Sequence, residues 1–593
     1  MNPKEMYEER LQFCEGELQR LKRTTRYLQW GRISAFVLIV LAIWQYASSD
    51  LNWLVTVILL LMLTFAFLIR IHAKRLQETA EFKARIQVIH RELNMLRFDY
   101  RSYPNGVEYA DPDHAYASDL DLFGDASLFQ YLSRANTSSG GERLAAVLKE
   151  GIGLDDLTNR QESVRELASM TAWREDFMTA GYLSGVGEED RKNFMQWIRK
   201  PFKAYTGVFF TTMLKVLPLV SFVCLFLLLI GRMELTWFIL YMLLPIAVAG
   251  AGARELNAEA NDISDEKENL MKCRDLLRNI ERGEYQSDEL NELKSKLIGP
   301  FGTAGQNFVE LVSIVTALDN RINGVGWLFL NVFLLWDVRY GIKIRKWKEE
   351  NHKFIENWFE VVAEYELINS LATLRHNRPE LNFPRLSDAV LKAEGMGHLL
   401  LDPRERIDND FRVDQERFYI LTGANMAGKS TFLRAIGTNL VLANMGAPVS
   451  ASSFEWKPLP IYSSMRTTDS LDAHESYFFA ELKRLQALVQ QAQEGELFII
   501  LDEILKGTNS EDKAKGSALF VEKLLAMNVH GIIATHDLSL CALSSDHSGV
   551  VKNISFEVEF VEDDLKFDYR LREGICQNMN ASFLLKKMGL TPD

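Results

Sequence analysis

The chain has 593 residues and a net charge of −13, with apolar, aromatic and charged fractions ordinary for a globular protein. That length accommodates several domains, the composition excludes wholesale disorder, and the acidity excludes a general electrostatic grip on nucleic acid, which needs clustered Lys and Arg. Cys14, Cys224, Cys273, Cys541 and Cys576 are odd in number and scattered, so free thiols in a reducing compartment are expected, with no structural metal.

Residues 1–30 read as a charged, amphipathic helix. Two long apolar runs follow, 33–46 and 51–69, separated by a polar gap at 47–50. The second has about the 20 residues that a bilayer core requires, and the first reaches that length with its flanks. Its distance from Met1 and the lack of a small-residue cleavage site argue against a signal peptide. Residues 73–98 are again a charged helix, and 108–200 read as mainly helical. A second apolar pair, 207–230 and 235–253, is joined by a turn at 231–234. A helical hairpin buried inside a soluble domain is the alternative for this pair.

Loop charges orient these spans. Arg20, Lys22, Arg23, Arg26 and Arg32 precede the first pair, and Arg70, Lys74 and Arg75 follow it. Arg191, Lys192, Arg199, Lys200 and Lys203 precede the second pair, and Arg254 follows it, whereas the two turns hold only Arg232. The positive-inside rule places both turns outside and every large segment in the cytoplasm. Residues 254–298 read as polar helices and 305–380 as helical. The short apolar stretch 327–336 cannot span and is expected as a core helix. From about residue 385 short β-branched runs alternate with helices, which predicts an α/β domain with a mainly parallel sheet.

In that last region, residues 423–431 read GANMAGKST. The motif Gly423-x-x-x-x-Gly428-Lys429-Ser430 follows an apolar strand and opens a helix, the context that a phosphate-binding loop requires. Gly423, Ala424, Asn425, Met426, Ala427, Gly428, Lys429, Ser430 and Thr431 are the expected nucleotide contacts. Backbone N–H groups and the helix N-terminus cradle the phosphates, and Lys429 reaches the β- and γ-phosphates. ATP and Mg2+ are the expected cofactors, with Ser430 and Asp502 as metal ligands. Asp502 and Glu503 end a buried strand, 497–501, and Glu503 is placed to act as general base toward water. His536 ends a third strand, 531–535, where it can sense the γ-phosphate.

These motifs resemble the MutS family. GANMAGKST is similar to GPNMGGKST, with Ala424 and Ala427 as departures. Asn409-Asp410 precedes the loop as in the family. Residues 502–510 resemble DEIGRGTS, with Leu505 and Lys506 departing from it, and Ala534-Thr535-His536 resembles ATH. Ser476 matches the serine that meets ATP bound to the other subunit, which implies a third catalytic residue, a composite site and a homodimer. Residues 567–574 and 588–590 resemble the strand and helix that close the family's ATPase domain. A looser likeness covers the helical core, around 128–164 and 330–347.

The departures are equally specific. Membrane hairpins and polar helices stand where a mismatch-reading domain and a DNA clamp are expected, and no C-terminal helix-turn-helix extension or nuclease domain is expected. Phe354-Ile355-Glu356 matches the Phe-x-Glu string of the mismatch wedge, but in a helical context far from the N-terminus. Lys343 to Lys348, KIRKWK with Trp347, is the best basic and aromatic patch for DNA.

The expected fold is multidomain, α plus α/β. It comprises transmembrane helical hairpins, a MutS-like helical core domain and a C-terminal P-loop α/β ATPase domain of the ABC type. The expected segments are 1–107 with the first hairpin, 108–206, 207–253 with the second, 254–384, and 385–593 for the ATPase domain. The expected function is a membrane-anchored MutS-family ATPase with a dimeric site, linked to DNA in mismatch repair or recombination. The alternative is an ABC-like, ATP-driven membrane protein with no DNA role. The expected location is a bacterial inner membrane, multi-pass, with the ATPase domain in the cytoplasm.

Overall fold

The computed structural model describes residues 2–48, 53–184, 187–264, 267–319, 324–466, 477–506, 508–561 and 564–577. Its helices are α1 (Pro3–Ser48), α2 (Trp53–Leu96), α3 (Leu128–Leu132), α4 (Ser138–Glu150), α5 (Asp156–Ser169), α6 (Thr171–Ser184), α7 (Glu188–Arg199), α8 (Val208–Leu229), α9 (Leu235–Gly250), α10 (Ala253–Ser264), α11 (Lys267–Arg282), α12 (Asp288–Ser295), α13 (Ala304–Asp319), α14 (Gly324–Leu334), α15 (Trp336–Asn351), α16 (Ile355–Asn377), α17 (Lys429–Asn444), α18 (Tyr477–Glu494) and α19 (Ser510–Leu525). The chain divides into two compact units. One comprises residues 1–93, 135–141 and 170–366, and the other comprises 94–134, 142–169 and 367–593.

In the first unit the charged stretch 1–30 and the first apolar run are one helix, α1. The same continuity joins 53–69 to the charged segment in α2. No proline interrupts either helix, so the change from polar to apolar alters what surrounds the helix and not its backbone. Arg32 Nη1 lies 2.9 Å from His72 Nδ1, and the Phe36 and Phe65 rings are 6.3 Å apart. The two helices therefore run antiparallel. At their polar ends Glu175 accepts from Arg10 at 2.9 Å and from Arg85 at 2.6 Å.

Three helices, α1, α2 and α8, are long and apolar enough to cross a membrane, and a fourth span results if α9 and the first part of α10, bent by 54°, count as one. Only 11% of the apolar window of α8 is buried within the chain. Most of α8 is therefore at least partly exposed within this chain. Gly231, at φ 70°, makes the turn between α8 and α9. The stretch 327–336 is split by the break at Leu335, and α14 packs Val332 and Phe333 in a cluster with Phe238 of the second hairpin, with Leu225 and Leu228 alongside.

The KIRKWK segment turns its best residues inward. Trp347 is 1% exposed and donates to the Asn307 carbonyl at 2.8 Å. Lys348 pairs with buried Glu259 at 2.6 Å and sits over the Trp197 ring. Phe354, of the Phe-x-Glu string, stacks against Trp358.

The first unit also holds a short antiparallel pair, β1 (Ile298–Gly299) with β2 (Gly302–Thr303), whereas the second unit is built on larger sheets. A small sheet holds β3 (Arg385–Leu386), β4 (Leu391–Met396), β5 (Asn409–Val413) and β7 (Ser453–Trp456). The larger one contains β6 (Phe418–Gly423), β8 (Ile461–Ser464), β9 (Leu497–Asp502), β10 (Val529–Thr535), β11 (Val551–Val561) and β12 (Asp564–Glu573), in the order β12-β11-β6-β10-β9-β8. Every pairing there is parallel except β11 with β12. Strands β6 and β10 are buried along their whole length, as strands covered on both faces must be, which is why they read as unbroken apolar runs. Gly531 is required between β10 and β9, since a Cβ there would lie 2.1 Å from the Ile499 carbonyl oxygen. The core beneath the sheet joins Phe418, Ile420, Leu488, Ile499, Leu501 and Val521.

Candidate nucleotide-binding site

The parallel register fixes where the chemistry lies. Thr422 of β6 stands beside Thr535 of β10, and Ala534 stands beside Asp502 of β9. Neighbouring strands are about 4.8 Å apart, so the loops after Gly423, Asp502 and Thr535 meet at the carboxyl edge of the sheet. That edge is where α/β folds bind ligands. A cavity of about 600 Å³ opens there, lined by Asn425 to Phe432 together with Asp502, Glu503 and His536.

The phosphate loop has the backbone that its glycines permit. Gly428, at φ 97°, caps the N-terminus of α17, and Met426 takes φ 67° with its side chain 75% exposed. Ala424 and Ala427, the two departures from the family pattern, are both buried. Gly423 is held close to β11, where an added Cβ would lie 3.0 Å from the Phe556 carbonyl oxygen. Lys429 is 7% exposed, and its Nζ donates to the Gly423 and Ala424 carbonyl oxygens at 2.8 and 2.9 Å. Burial lowers its pKa, while Asp502 and Glu503 act in the opposite direction.

Ser430 Oγ donates to Asp502 Oδ2 at 2.5 Å. Two hard oxygen ligands thus stand together at the first turn of α17, a donor set suited to Mg2+ that takes its remaining ligands from phosphate and water. Among the described residues no group of three or more His, Cys, Asp or Glu could hold a metal by itself. Glu503 follows at φ 53°, its N–H donating to the Ala534 carbonyl at 2.9 Å. Burial pushes its carboxyl up, but the ammonium of Lys513, 2.5 Å away, outweighs that and holds it below the ordinary value. His536 lies in the same cavity. Its pKa is lowered by burial and then by the Lys429 charge, so it is neutral at pH 7.

Several residues of the site were not singled out by sequence reasoning. Glu481 of α18 is 2% exposed and accepts from the N–H groups of Leu505 at 2.6 Å and Lys506 at 3.0 Å. It anchors the loop that carries Glu503. Lys513, in the first turn of α19, is the second. Tyr569 of β12 is the third: it lines the cavity and approaches Gly428, where an added Cβ would lie 3.1 Å from its ring. Asn409 binds β12 just after this residue, donating to the Tyr569 carbonyl at 3.0 Å and accepting from Leu571 N–H at 2.7 Å. His398 completes the far wall, with burial pushing its pKa down to about 4. Ser476 lies outside the described residues, as does the segment 588–590.

Comparison with known proteins agrees with this geometry. Residues 419–589 match the model of MutS domain V. The chain is 30% identical over 193 residues to MutS protein homolog 4 of Homo sapiens, covering 31% of this chain and 20% of that protein. It is 29% identical over 237 residues to the DNA mismatch repair protein MutS of Thermotoga neapolitana, covering 38% and 29%. It is 26% identical over 310 residues to that of Fervidobacterium nodosum, covering 51% and 33%. The chain thus matches between a fifth and a third of the length of these relatives. Residues 419–589 therefore match domain V of the MutS family, and through that segment the chain is similar to these MutS proteins.

Proposed function

We propose that this chain is a membrane-anchored ATPase of the MutS family that binds ATP with Mg2+ and hydrolyses it at a site completed in a homodimer. The observation that carries the reading is the convergence of Lys429, the Ser430–Asp502 pair and Glu503 on one cavity at the sheet edge. Mg-ATP, when bound, supplies the phosphoanhydride bond and the bridging cation. Lys429 neutralises phosphate charge, Ser430 and Asp502 hold the cation, and Glu503 takes the proton of the attacking water. His536, neutral, offers a hydrogen bond toward the terminal phosphate. Ser476 of the second subunit meets the nucleotide across the dimer.

The membrane part of the reading rests on the length and composition of α1, α2 and α8, with α9 as the fourth element. It also rests on the basic residues that flank both pairs, which support a cytoplasmic ATPase domain by the positive-inside rule. DNA enters through the relatives' names, which specify DNA mismatch repair, and these support a repair-linked role over an ABC-like transport role. The basic patch adds little, since only Lys343 and Lys346 of its cations are exposed.

Glu503→Gln tests the catalytic reading: ATP stays bound and turnover disappears. Hydrolysis at the wild-type rate in that variant sinks the role of Glu503. Ser476→Ala weakens hydrolysis in the dimer alone. The rate in nanodiscs, with and without duplex, branched and mismatched DNA, decides the partner, and no DNA binding at low salt removes DNA from the reading.

A further inference from the structure

The helix α14 has an unusual combination of features. Its 11 residues, GVGWLFLNVFL, extend about 16 Å, roughly half of a bilayer's hydrocarbon thickness. One face is joined to the second hairpin. Val332 is fully buried, and the Phe333 ring lies 5.5 Å from that of Phe222 in α8. Ser221 Oγ, in mid-α8, lies 2.6 Å from the Val332 carbonyl oxygen and 2.8 Å from Tyr241 Oη of α9. One turn earlier on the same side, Phe329 is 59% exposed, with its ring 4.8 Å from that of Phe333, and Leu328 beside it is also exposed. This face continues the exposed apolar surface of α8 and α9, where Leu219, Phe226, Trp237 and Leu240 are also exposed.

The helix ends in a sharp break that is tied by side-chain hydrogen bonds, although one oxygen of the buried Asp337 carboxylate accepts none. Leu335 takes φ 45°, and α15 begins at Trp336. Asn331, fully buried, accepts from Asp337 N–H at 2.9 Å and donates to the Trp327 carbonyl at 3.1 Å. The Asp337 carboxylate, also fully buried, accepts from Trp327 Nε1 at 3.0 Å. Irregular backbone persists beside hydrocarbon only where every freed N–H and C=O finds a protein partner. An exposed loop in water needs no such closure. Trp327 and Trp336 flank the break, with Arg339 just beyond, the sequence of groups found at a membrane interface.

We propose that α14 is a re-entrant membrane element, packed on the second hairpin with Phe329 and Leu328 facing acyl chains. The proposal rests on the membrane reading given above. It makes the second hairpin part of a three-helix layer, α8, α9 and α14, whose third member leads directly into α15.

The test uses the full chain reconstituted in liposomes, with the five native cysteines replaced by alanine and a fluorophore on one introduced cysteine. The positions are Phe329→Cys and Leu328→Cys on α14, Leu219→Cys on α8 and Lys346→Cys on α15. Quenching is compared between lipids spin-labelled on the acyl chain and aqueous iodide. The expected result is lipid quenching at 329, 328 and 219 and iodide quenching at 346. Iodide quenching at 329 and 328 with lipid quenching at 219 overturns this proposal and leaves the membrane reading standing. Iodide quenching at 219 as well overturns both. Quenching by neither reagent at 329 and 328 means that protein covers the face, and also overturns the proposal.

Discussion

Replacing Glu481 by Ala removes the anchor of the catalytic loop without touching the phosphate loop. In the intact protein Glu503 and Leu505 both hold positive φ, 53° and 58°, at about 1–3 kcal/mol for each non-glycine residue so placed. Against that stand two hydrogen bonds from backbone N–H groups to the buried Glu481 carboxylate. Bonds to a charged group are worth about 1.5–3 kcal/mol each, so the pair supplies about 3–6 kcal/mol. Losing even about 3 kcal/mol from a loop with that strain lowers the population of its working conformation by about a hundredfold. Steady-state ATPase kinetics on Glu481→Ala should therefore show kcat reduced by one to two orders of magnitude. Nucleotide affinity, measured separately by titration, should change less than threefold, because Gly423 to Ser430 keep their contacts. Glu481→Gln, which keeps one acceptor oxygen, should fall between the two. A wild-type kcat in Glu481→Ala, or a loss confined to nucleotide affinity, refutes the reasoning.

Gly428→Ala puts a Cβ on a residue at φ 97° and 3.1 Å from the Tyr569 ring. A left-handed alanine costs about 1–2 kcal/mol, so nucleotide affinity measured by calorimetry should fall about tenfold or more, and unchanged affinity would refute the backbone requirement. Lys513→Gln frees the Glu503 oxygen that the ammonium holds at 2.5 Å. Turnover measured at saturating ATP should rise, and a fall would show that Lys513 positions Glu503 for catalysis. Glu366, fully enclosed, accepts from the Asn136 and Thr137 N–H groups, yet burial outweighs them and raises its pKa to about 7. A folded pKa above the ordinary value of 4.5 means that the native state binds more protons between the two values. Stability is then full below about pH 4.5 and is lost as pH rises to about 7, by about 3 kcal/mol at 1.4 kcal/mol per unit. Thermal midpoints should fall from pH 5 to pH 8 in the wild type and stay level in Glu366→Gln, and equal slopes in both would refute the assignment.

What the sequence made legible follows from how local each requirement is. The phosphate loop demands glycine at fixed spacing between a strand and a helix, so nine consecutive residues disclose it. Strands covered on both faces are continuous apolar runs, and β6, β9 and β10 were visible for that reason. Glu481 and Lys513 were not, because their partners lie 24 and 10 residues away and meet only once α18 and α19 pack on the sheet. Tyr569 reaches the cavity from β12, far along the chain. The stretch 327–336 is ambiguous in the sequence because a short apolar helix has the same pattern against protein or lipid. The inward face of the KIRKWK segment is legible in the sequence. Ile344, Trp347, Lys348 and Asn351 fall at i, i+3, i+4 and i+7, one helical face, and all four are buried.

The same distances show how a phosphate ligand would enter at modest energetic cost. Lys429 bonds two loop carbonyls, Ser430 bonds Asp502, and Glu503 bonds Lys513. An unpaired buried charge costs several kcal/mol, and the loops avoid this by satisfying one another. A phosphate oxygen then replaces a carbonyl oxygen at Lys429, so the gain is the difference between a charge-assisted bond and a neutral-acceptor bond, about 1–2 kcal/mol and not the full strength of either. Binding of this kind is partner exchange, and it is local because Gly423, Asp502 and Thr535 end three adjacent strands. The strand order β6-β10-β9 therefore contributes to the chemistry directly. Moving any one of these strands outward would separate the exchanging partners by a strand spacing of about 4.8 Å, beyond the reach of a hydrogen bond.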